Sequence, residues 1–466
     1  MAVHTKHPVS APPAAPAREK TGHLLLRAWC IFVLTLAIAG VSWVNAFGAV
    51  IAAGITVAAA AVSVALWIVI RPPVQWRRFP WYALVYVAFA AVSVLWSVWP
   101  LATVLTWSLL ALTTLQALFV GGVLTWHELI RAVSSALQWV LSLSLLFELF
   151  VSVVVQHPVM PQFAEAPDGV DPIVYWSRDN LFDGGRIQGV FGNANLLAMV
   201  AVLAIVVFAV RYAAQSPRRH WQLFWIALAA YLLVRAGSAT AYLALGGAVL
   251  VLATVLLMRT TTRPGERTKY YVAYAAVGLG GALALWFGRD AIFTALGRDS
   301  DLTGREMIWD AVLARVAERP WAGWGYSTPW LPWEARIDGW IVDHDQTVMQ
   351  AHSMWVDVLF QLGIIGLVLV ALAYFAFVWR SWFFAVDRPR WDLRDDRPYT
   401  TLSLVPTLTG AILLVQGFSE SNPLMLWGWM FVVMFAYKIK QSPHIGEGPI
   451  EQRLAIERGD LMKQEP

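Results

Sequence analysis

Residues 49–70 read AVIAAGITVAAAAVSVALWIVI, 22 positions without one ionisable side chain, followed at once by Arg71. As a helix, a run of that length reaches about 33 Å, enough for the roughly 30 Å of hydrocarbon in a bilayer. Inside hydrocarbon, backbone polar groups must be paired within a helix or around a closed barrel. Barrel strands are short and alternate in polarity; this run is neither short nor alternating. The same pattern recurs along the chain. It predicts further spans near Trp29–Ala46, Trp81–Val98, Leu101–Leu124, Val133–Val155, Ala194–Val210, Trp221–Ala236, Ala239–Met258, Tyr270–Phe287, Ser353–Trp379, Thr401–Phe418 and Leu424–Tyr437.

Composition agrees with this reading. Of 466 residues, 58% are hydrophobic and 14% charged, whereas soluble domains carry about 25% charge. The 26 tryptophans suit a chain with many membrane–water boundaries. The expected fold is an all-α polytopic membrane protein with about twelve transmembrane helices in residues 29–437. Residues 1–28, Pro- and Ala-rich at the start and without the apolar core of a secretory signal, read as a disordered cytoplasmic tail. Residues 438–466 read as a polar cytoplasmic tail with a short surface helix near Pro449–Met462. The single cysteine, Cys30, excludes an intrachain disulfide framework and a Cys–Cys zinc cage. No metal-ligand spacing and no Gly-rich phosphate loop stand out, so neither metal nor cofactor is expected. A net charge of +4 is compatible with nucleic acid as a partner, but the placement of the basic residues points to membrane topology instead.

With the N-terminus placed inside, the inner segments collect 25 of the 34 Lys and Arg residues, from Lys6 to Lys463, and every inner loop holds at least one. That bias orients the chain, and an even number of spans returns the C-terminus to the cytoplasm. Two outer segments are long, about 156–192 and 288–352. They hold Arg178, Arg186, Arg289, Arg298, Arg305, Arg315, Arg319 and Arg336. Arginine kept outside against the bias needs a reason, and an anionic ligand is one.

Three stretches could carry chemistry. In RIQGVFGNANLLAMV (186–200), Gly189 and Gly192 give a tight approach, and Asn193 is placed to cap the following span. A helix end there has a positive dipole, and a phosphate could sit between it and Arg186. The competing reading is an ordinary helix start with an interfacial arginine. In QAHSMWVDVLFQLGIIG (350–366), His352 lies at the outer mouth of a span. Gly363 follows about three turns later, and Gly366 falls within roughly 40° of His352 around the helix axis. An imidazole there can accept a proton near neutral pH; the alternative is a histidine hydrogen-bonded at the interface. In LTGREMIWDAVLARVAERPWAGWGYS (302–327), Met307, Ile308, Val312, Leu313 and Val316 recur at helical spacing and Pro320 ends the pattern. This reads as an amphipathic helix within the large extracytoplasmic loop, resting on the leaflet or capping a cavity. Arg305 at its start suits phosphate oxygens, or is a surface arginine. The tryptophans of that loop read mainly as headgroup anchors. Asp343, His344 and Asp345 form a polar cluster before His352. Glu420, in SESNP, is a further polar group on the same side.

Together these segments resemble the O-antigen ligase and polysaccharide polymerase superfamily, which includes exopolysaccharide polymerases. RIQGVFGNANLLA is similar to its Arg–x–x–Gly–x–Phe–x–Asn stretch. GREMIW with ERPWAGWGYS resembles its Gly–Arg, Trp and Pro–x–x–Gly–x–Gly run. His352, Ser353, Gly363 and Gly366 match its His–[Asn/Ser/Gln]–x9–Gly–x–x–Gly pattern. The resemblance is strongest from about residue 187 to 370. One departure stands out: where the family has Ser–Arg–x3–Leu, this chain has SATAYLAL, with Ala239 in the arginine's place and Arg235 nearby as a substitute. That departure favours a polymerase-like or divergent member over a strict ligase.

The resemblance implies an inverting glycosyltransferase of the bacterial inner membrane, with its active site extracytoplasmic and its product an envelope polysaccharide. The donor would be a polyprenyl-diphosphate-linked glycan and the acceptor a glycan or lipid. Arg186 and Arg305 would grip the diphosphate, and His352 would take the acceptor's proton or orient the acceptor. Gly189, Asn193, Asn195, Arg235, Asp345, Ser353 and Glu420 would line the substrates. No nucleotide, metal or nucleic acid enters that scheme. The rival class is a lipid-linked glycan flippase, which would show charged or broken-helix sites near the bilayer midplane.

Overall fold

The computed structural model describes residues 21–164, 171–261, 265–295, 305–343, 346–387, 399–446 and 448–458. Its helices, in order, are α1 (Thr21–Ile38), α2 (Gly40–Ile70), α3 (Trp81–Val92), α4 (Pro100–Val123), α5 (Trp126–Phe150), α6 (Ala194–Ala213) and α7 (Arg219–Ala236). They continue with α8 (Ala239–Arg259), α9 (Glu266–Ala295), α10 (Arg305–Glu318), α11 (Met354–Val386), α12 (Leu404–Gly417), α13 (Leu426–Gln441) and α14 (Pro449–Arg458). A two-stranded ribbon, Val342–Asp343 with Gln346–Thr347, is the one sheet among the described residues.

Seven described helices are long and apolar enough to cross a membrane: α1, α2, α4, α5 with its extension to Val155, α6, α8 and α11. The stretches Trp81–Leu95 and Thr401–Gly417 are shorter apolar helices. Helix boundaries follow the hydropathy pattern except at the starts of α1 and α5 and the ends of α9 and α11, each of which runs seven or eight residues beyond the expected span. At the N-terminal end α1 already runs at Thr21, about two turns ahead of the expected Trp29, and α2 kinks at Gly48, where it leaves helical geometry (φ 80°, ψ 163°). Residues 1–20 lie outside the described residues.

The bundle is built around α6 and α13. Every residue from Leu197 to Ala204 is 1% exposed or less, and Trp427 to Phe435 are buried almost without interruption. A helix apolar on all sides belongs inside such a bundle. In contrast, α2, α8 and α9 present outward Val50, Val69, Leu243, Leu250, Val277 and Leu279, the surface that lipid would cover.

One end of the bundle carries a separate core. Ile308 and Val312 of α10 pack with Trp99, Trp330, Ile337, Ile341 and Phe360, while Met307 and Leu313 remain exposed. So α10 is amphipathic as expected, but its apolar face caps a folded loop. The tryptophans divide: Trp321 and Trp333 are exposed, whereas Trp330 is fully buried. The reading of the loop indoles as mainly headgroup anchors therefore fails for Trp330, which fills this core.

Gly363 and Gly366 do not continue a uniform helical face below His352. His352 precedes α11 and has a left-handed backbone (φ 50°), and α11 breaks at Gly363 (φ 63°, ψ −165°). The segment 320–325 docks into that break. Ile364 N–H donates to the Pro320 carbonyl at 2.8 Å, and Trp324 and Gly325 N–H donate to the Phe360 and Gln361 carbonyls at 3.2 and 2.9 Å. The backbone groups that the break frees are thereby paired within the protein. A Cβ on Gly363 would stand 2.3 Å from the Trp321 carbonyl, and one on Gly323 would stand 2.4 Å from the Gln361 carbonyl carbon. Two motifs far apart in sequence thus need glycine for one shared contact.

Candidate active site

The turn after α12 brings Glu420 to the middle of the proposed site. It is buried, with a side-chain exposure of 7%. Arg305 Nη2 approaches its Oε1 at 3.7 Å, and His352 Nδ1 lies 3.4 Å from its Oε2. Asn195 Nδ2 donates to Oε1 at 3.5 Å and Gln350 Nε2 to Oε2 at 3.1 Å. Arg186 joins through Asn195, donating from Nη2 to Oδ1 at 2.8 Å. The three sequence motifs and Glu420 therefore meet in one cluster.

Each side chain is placed by identifiable local structure. Asn193 caps α6, its Oδ1 accepting from the N–H groups of Asn195 and Leu196 at 2.8 and 3.3 Å. That cap consumes amides the sequence reading left free for phosphate. Gly189 donates its N–H to Glu148 Oε1 at 2.6 Å, as Gln188 does at 2.8 Å. Gly189 is thus a buried hinge of the 186–193 turn, anchored from α5, and its amide is already used. Arg186 donates from Nε to the Ala236 carbonyl at 2.7 Å, which seats it on the C-terminus of α7. Burial, with Arg178 as a like-charged neighbour, pulls Arg186 below the usual guanidinium value; an arginine so shifted still carries its charge.

Beneath His352, Asp357 ties the cluster together. It accepts from the Ser421 hydroxyl and from Ala351 N–H at 3.2 Å, and Gln361 Nε2 approaches it at 3.5 Å. Gln350 Oε1 accepts from Ser421 N–H at 3.0 Å. The loops at 350–353 and 420–421 are thus clamped face to face, and the left-handed backbone of His352 is held by that clamp. Ser353 starts α11 with its side chain buried and makes no side-chain cap.

Arg235 lies in the last turn of α7 beside the Arg186 turn, its carbonyl accepting from Ile187 N–H at 3.2 Å. Its Nη2 donates to the carbonyls of Asn180 and Leu181 at 2.7 and 2.9 Å, bracing the loop before Arg186. The position of the absent family arginine, Ala239, is exposed and opens α8 beside the cluster, since Ser419 Oγ donates to Thr240 Oγ1 at 3.1 Å. Two outer arginines expected to seek an anion are also braces: Arg315 lies 3.6 Å over the Trp340 ring and Arg319 4.4 Å over Trp324. Asp343 sits in the two-stranded ribbon. His344, Asp345 and Arg298 lie outside the described residues, as does the side chain of Arg289. Sequence reasoning missed Gln350 and the anchoring role of Glu148. A lone carboxylate in an apolar run was the available signal for the latter; a glutamine beside a histidine offers none.

Comparison with known proteins completes the description. Residues 224–371 match the O-antigen ligase family. The match takes in Arg235, α10 with Arg305, and the His352–Gly366 stretch, while Arg186, Asn195 and Glu420 fall outside it. Over 207 residues the chain is 28% identical to the exopolysaccharide production protein ExoQ of Rhizobium meliloti, covering 42% of this chain and 44% of that protein. Over 159 residues it is 30% identical to an O-antigen ligase of Pseudomonas aeruginosa, covering 34% of each. The aligned stretches thus span less than half of either relative. The resemblance read from the motifs is borne out: this is a multi-pass membrane protein similar over residues 224–371 to the O-antigen ligase family.

Proposed function

We propose that this chain is an inverting glycosyltransferase that moves a glycan from a polyprenyl-diphosphate carrier to a glycan or lipid acceptor in envelope polysaccharide synthesis. The observation that carries the reading is the meeting of Arg186, Arg305 and His352 around Asn195 and Glu420. Cations beside a protonatable imidazole at one end of a membrane bundle suit a lipid diphosphate leaving group. The acceptor hydroxyl oxygen bonds to the anomeric carbon from the face opposite the phosphate. The anomeric C–O bond to the diphosphate breaks and its electron pair leaves with the carrier. His352 takes the hydroxyl proton, with the Glu420 carboxylate 3.4 Å from Nδ1 stabilising the imidazolium that forms, and the arginines stabilise the charge growing on the diphosphate. Asn195 and Gln350 hold Glu420. About twelve spans, both termini cytoplasmic and this site extracytoplasmic, complete the proposal; the Lys and Arg distribution supports that orientation.

ExoQ's role in exopolysaccharide production and the alanine at position 239 favour polymerisation over ligation. The flippase reading gains one observation, the break in α11 at Gly363, but segment 320–325 occupies that break and satisfies its backbone. The test uses purified protein and a labelled polyprenyl-diphosphate oligosaccharide. Longer lipid-linked chains mean polymerase, transfer to another acceptor means ligase, and scrambling without transfer means flippase. Arg186→Ala, Arg305→Ala and His352→Ala should each lose about a hundredfold in product formation or more at normal protein abundance. Wild-type rates in all three would remove the site.

A further inference from the structure

The opposite end of the bundle holds a second concentration of charge. A cavity of about 650 Å³ lies where the C-terminal parts of α11 and α13 meet the loop before α3. Arg77, Arg78, Arg380 and Lys440 line it, drawn from three separate stretches of chain. Among the described lining residues the one carboxylate, Asp387, is already paired with Arg267 at 2.6 Å. Lys440 donates to the Phe79 carbonyl and Arg78 to the Lys440 carbonyl at 3.5 Å, which holds both beside the cavity. Arg77 and Arg380 are exposed and make no ion pair among the described residues. Basic side chains that only set topology would fan into solvent; these converge on one concavity.

The floor is aromatic, and it continues outward. Phe375, Trp379 and Phe383 recur every four residues on one face of α11, with ring centroids 5.6 and 4.9 Å apart. Phe375 is 62% exposed and Trp379 55%, on a helix long and apolar enough to cross the membrane. A path therefore runs from an apolar outer face into a cationic cavity. An amphiphile with an anionic head fits that path, whereas a free anion would make no use of the aromatic stripe.

We propose that this cavity binds the phosphodiester headgroup of an anionic phospholipid, with its acyl chains laid along Phe375 and Trp379. The site lies some thirty residues of helix away from His352, and it is independent of the proposed transfer reaction.

Native mass spectrometry of the full chain, in detergent supplied with phosphatidylglycerol or with phosphatidylcholine, tests it. One phosphatidylglycerol should be retained per chain at concentrations where phosphatidylcholine is not. The double variant Arg77→Gln/Arg380→Gln should weaken retention at least about tenfold. Arg380→Lys should retain it. The double variant Arg218→Gln/Arg219→Gln, which removes two cations outside the cavity, should leave it unchanged. Equal loss in both double variants would reduce the effect to diffuse charge and overturn the site. Displacement of the lipid by inorganic phosphate alone at matching occupancy would overturn the lipid assignment in favour of a soluble anion.

Discussion

Arg235 donates to two backbone carbonyls of the loop that delivers Arg186. A hydrogen bond from a charged donor contributes about 1.5–3 kcal/mol, so this guanidinium matters to the loop even without touching substrate. Arg315 and Arg319 are spent in the same way against tryptophan rings. What separates Arg235, Arg315 and Arg319 from Arg186 and Arg305 is reach into the Glu420 cluster: Arg186 braces the Ala236 carbonyl but also donates to Asn195, and Arg305 stands 3.7 Å from Glu420. Hydrogen–deuterium exchange checks this distinction. Arg235→Ala should raise exchange of the amides from residue 180 to 188 at least about tenfold, and Arg305→Ala should leave those amides as they are. Indifference of the loop to Arg235→Ala would mean that the brace is unimportant.

Among the helices, α11 shows how a motif can look like one thing and serve another. Its glycines have the spacing of a close helix–helix face, yet Gly363 is where the helix opens to receive the 320–325 segment. Alanine at 363 would need a strained φ and would collide with backbone, not with a side chain that can swing away. We expect Gly363→Ala to cost about 3 kcal/mol or more, seen as a lower Tm in detergent and as new protease cleavage near residue 320. Gly54→Ala in α2, where a Cβ meets nothing within 4 Å, should change Tm little. Equal effects from the two would show that the docked break is not what glycine serves.

At the scale of the molecule, the proposed sidedness makes a direct prediction, and the chain is suited to testing it because its single cysteine, Cys30, is fully buried. An impermeant maleimide applied to intact spheroplasts should label Thr347→Cys, and should label Ser216→Cys only after permeabilisation. The reverse pattern would invert the topology and put the Glu420 cluster in the cytoplasm.

Hydropathy alone determined that residues 49–70 and six further stretches are membrane-length helices, because burying a peptide group in hydrocarbon leaves no alternative to a helix there. Local chemistry was legible too: the Asn193 cap, the stop at Pro320 and the amphipathic face of α10 each depend on neighbours within a few residues. Tertiary structure decided the rest. It turned Gly363 from a smooth face into a break, because what fills that break comes from some forty residues earlier. It paired the Arg235 guanidinium with carbonyls that sit more than fifty residues away in sequence. It made Glu420, one polar residue of a short turn, the place where three motifs join. Long-range partners of that kind leave no periodic trace in a sequence, since any spacing satisfies them once the chain has folded.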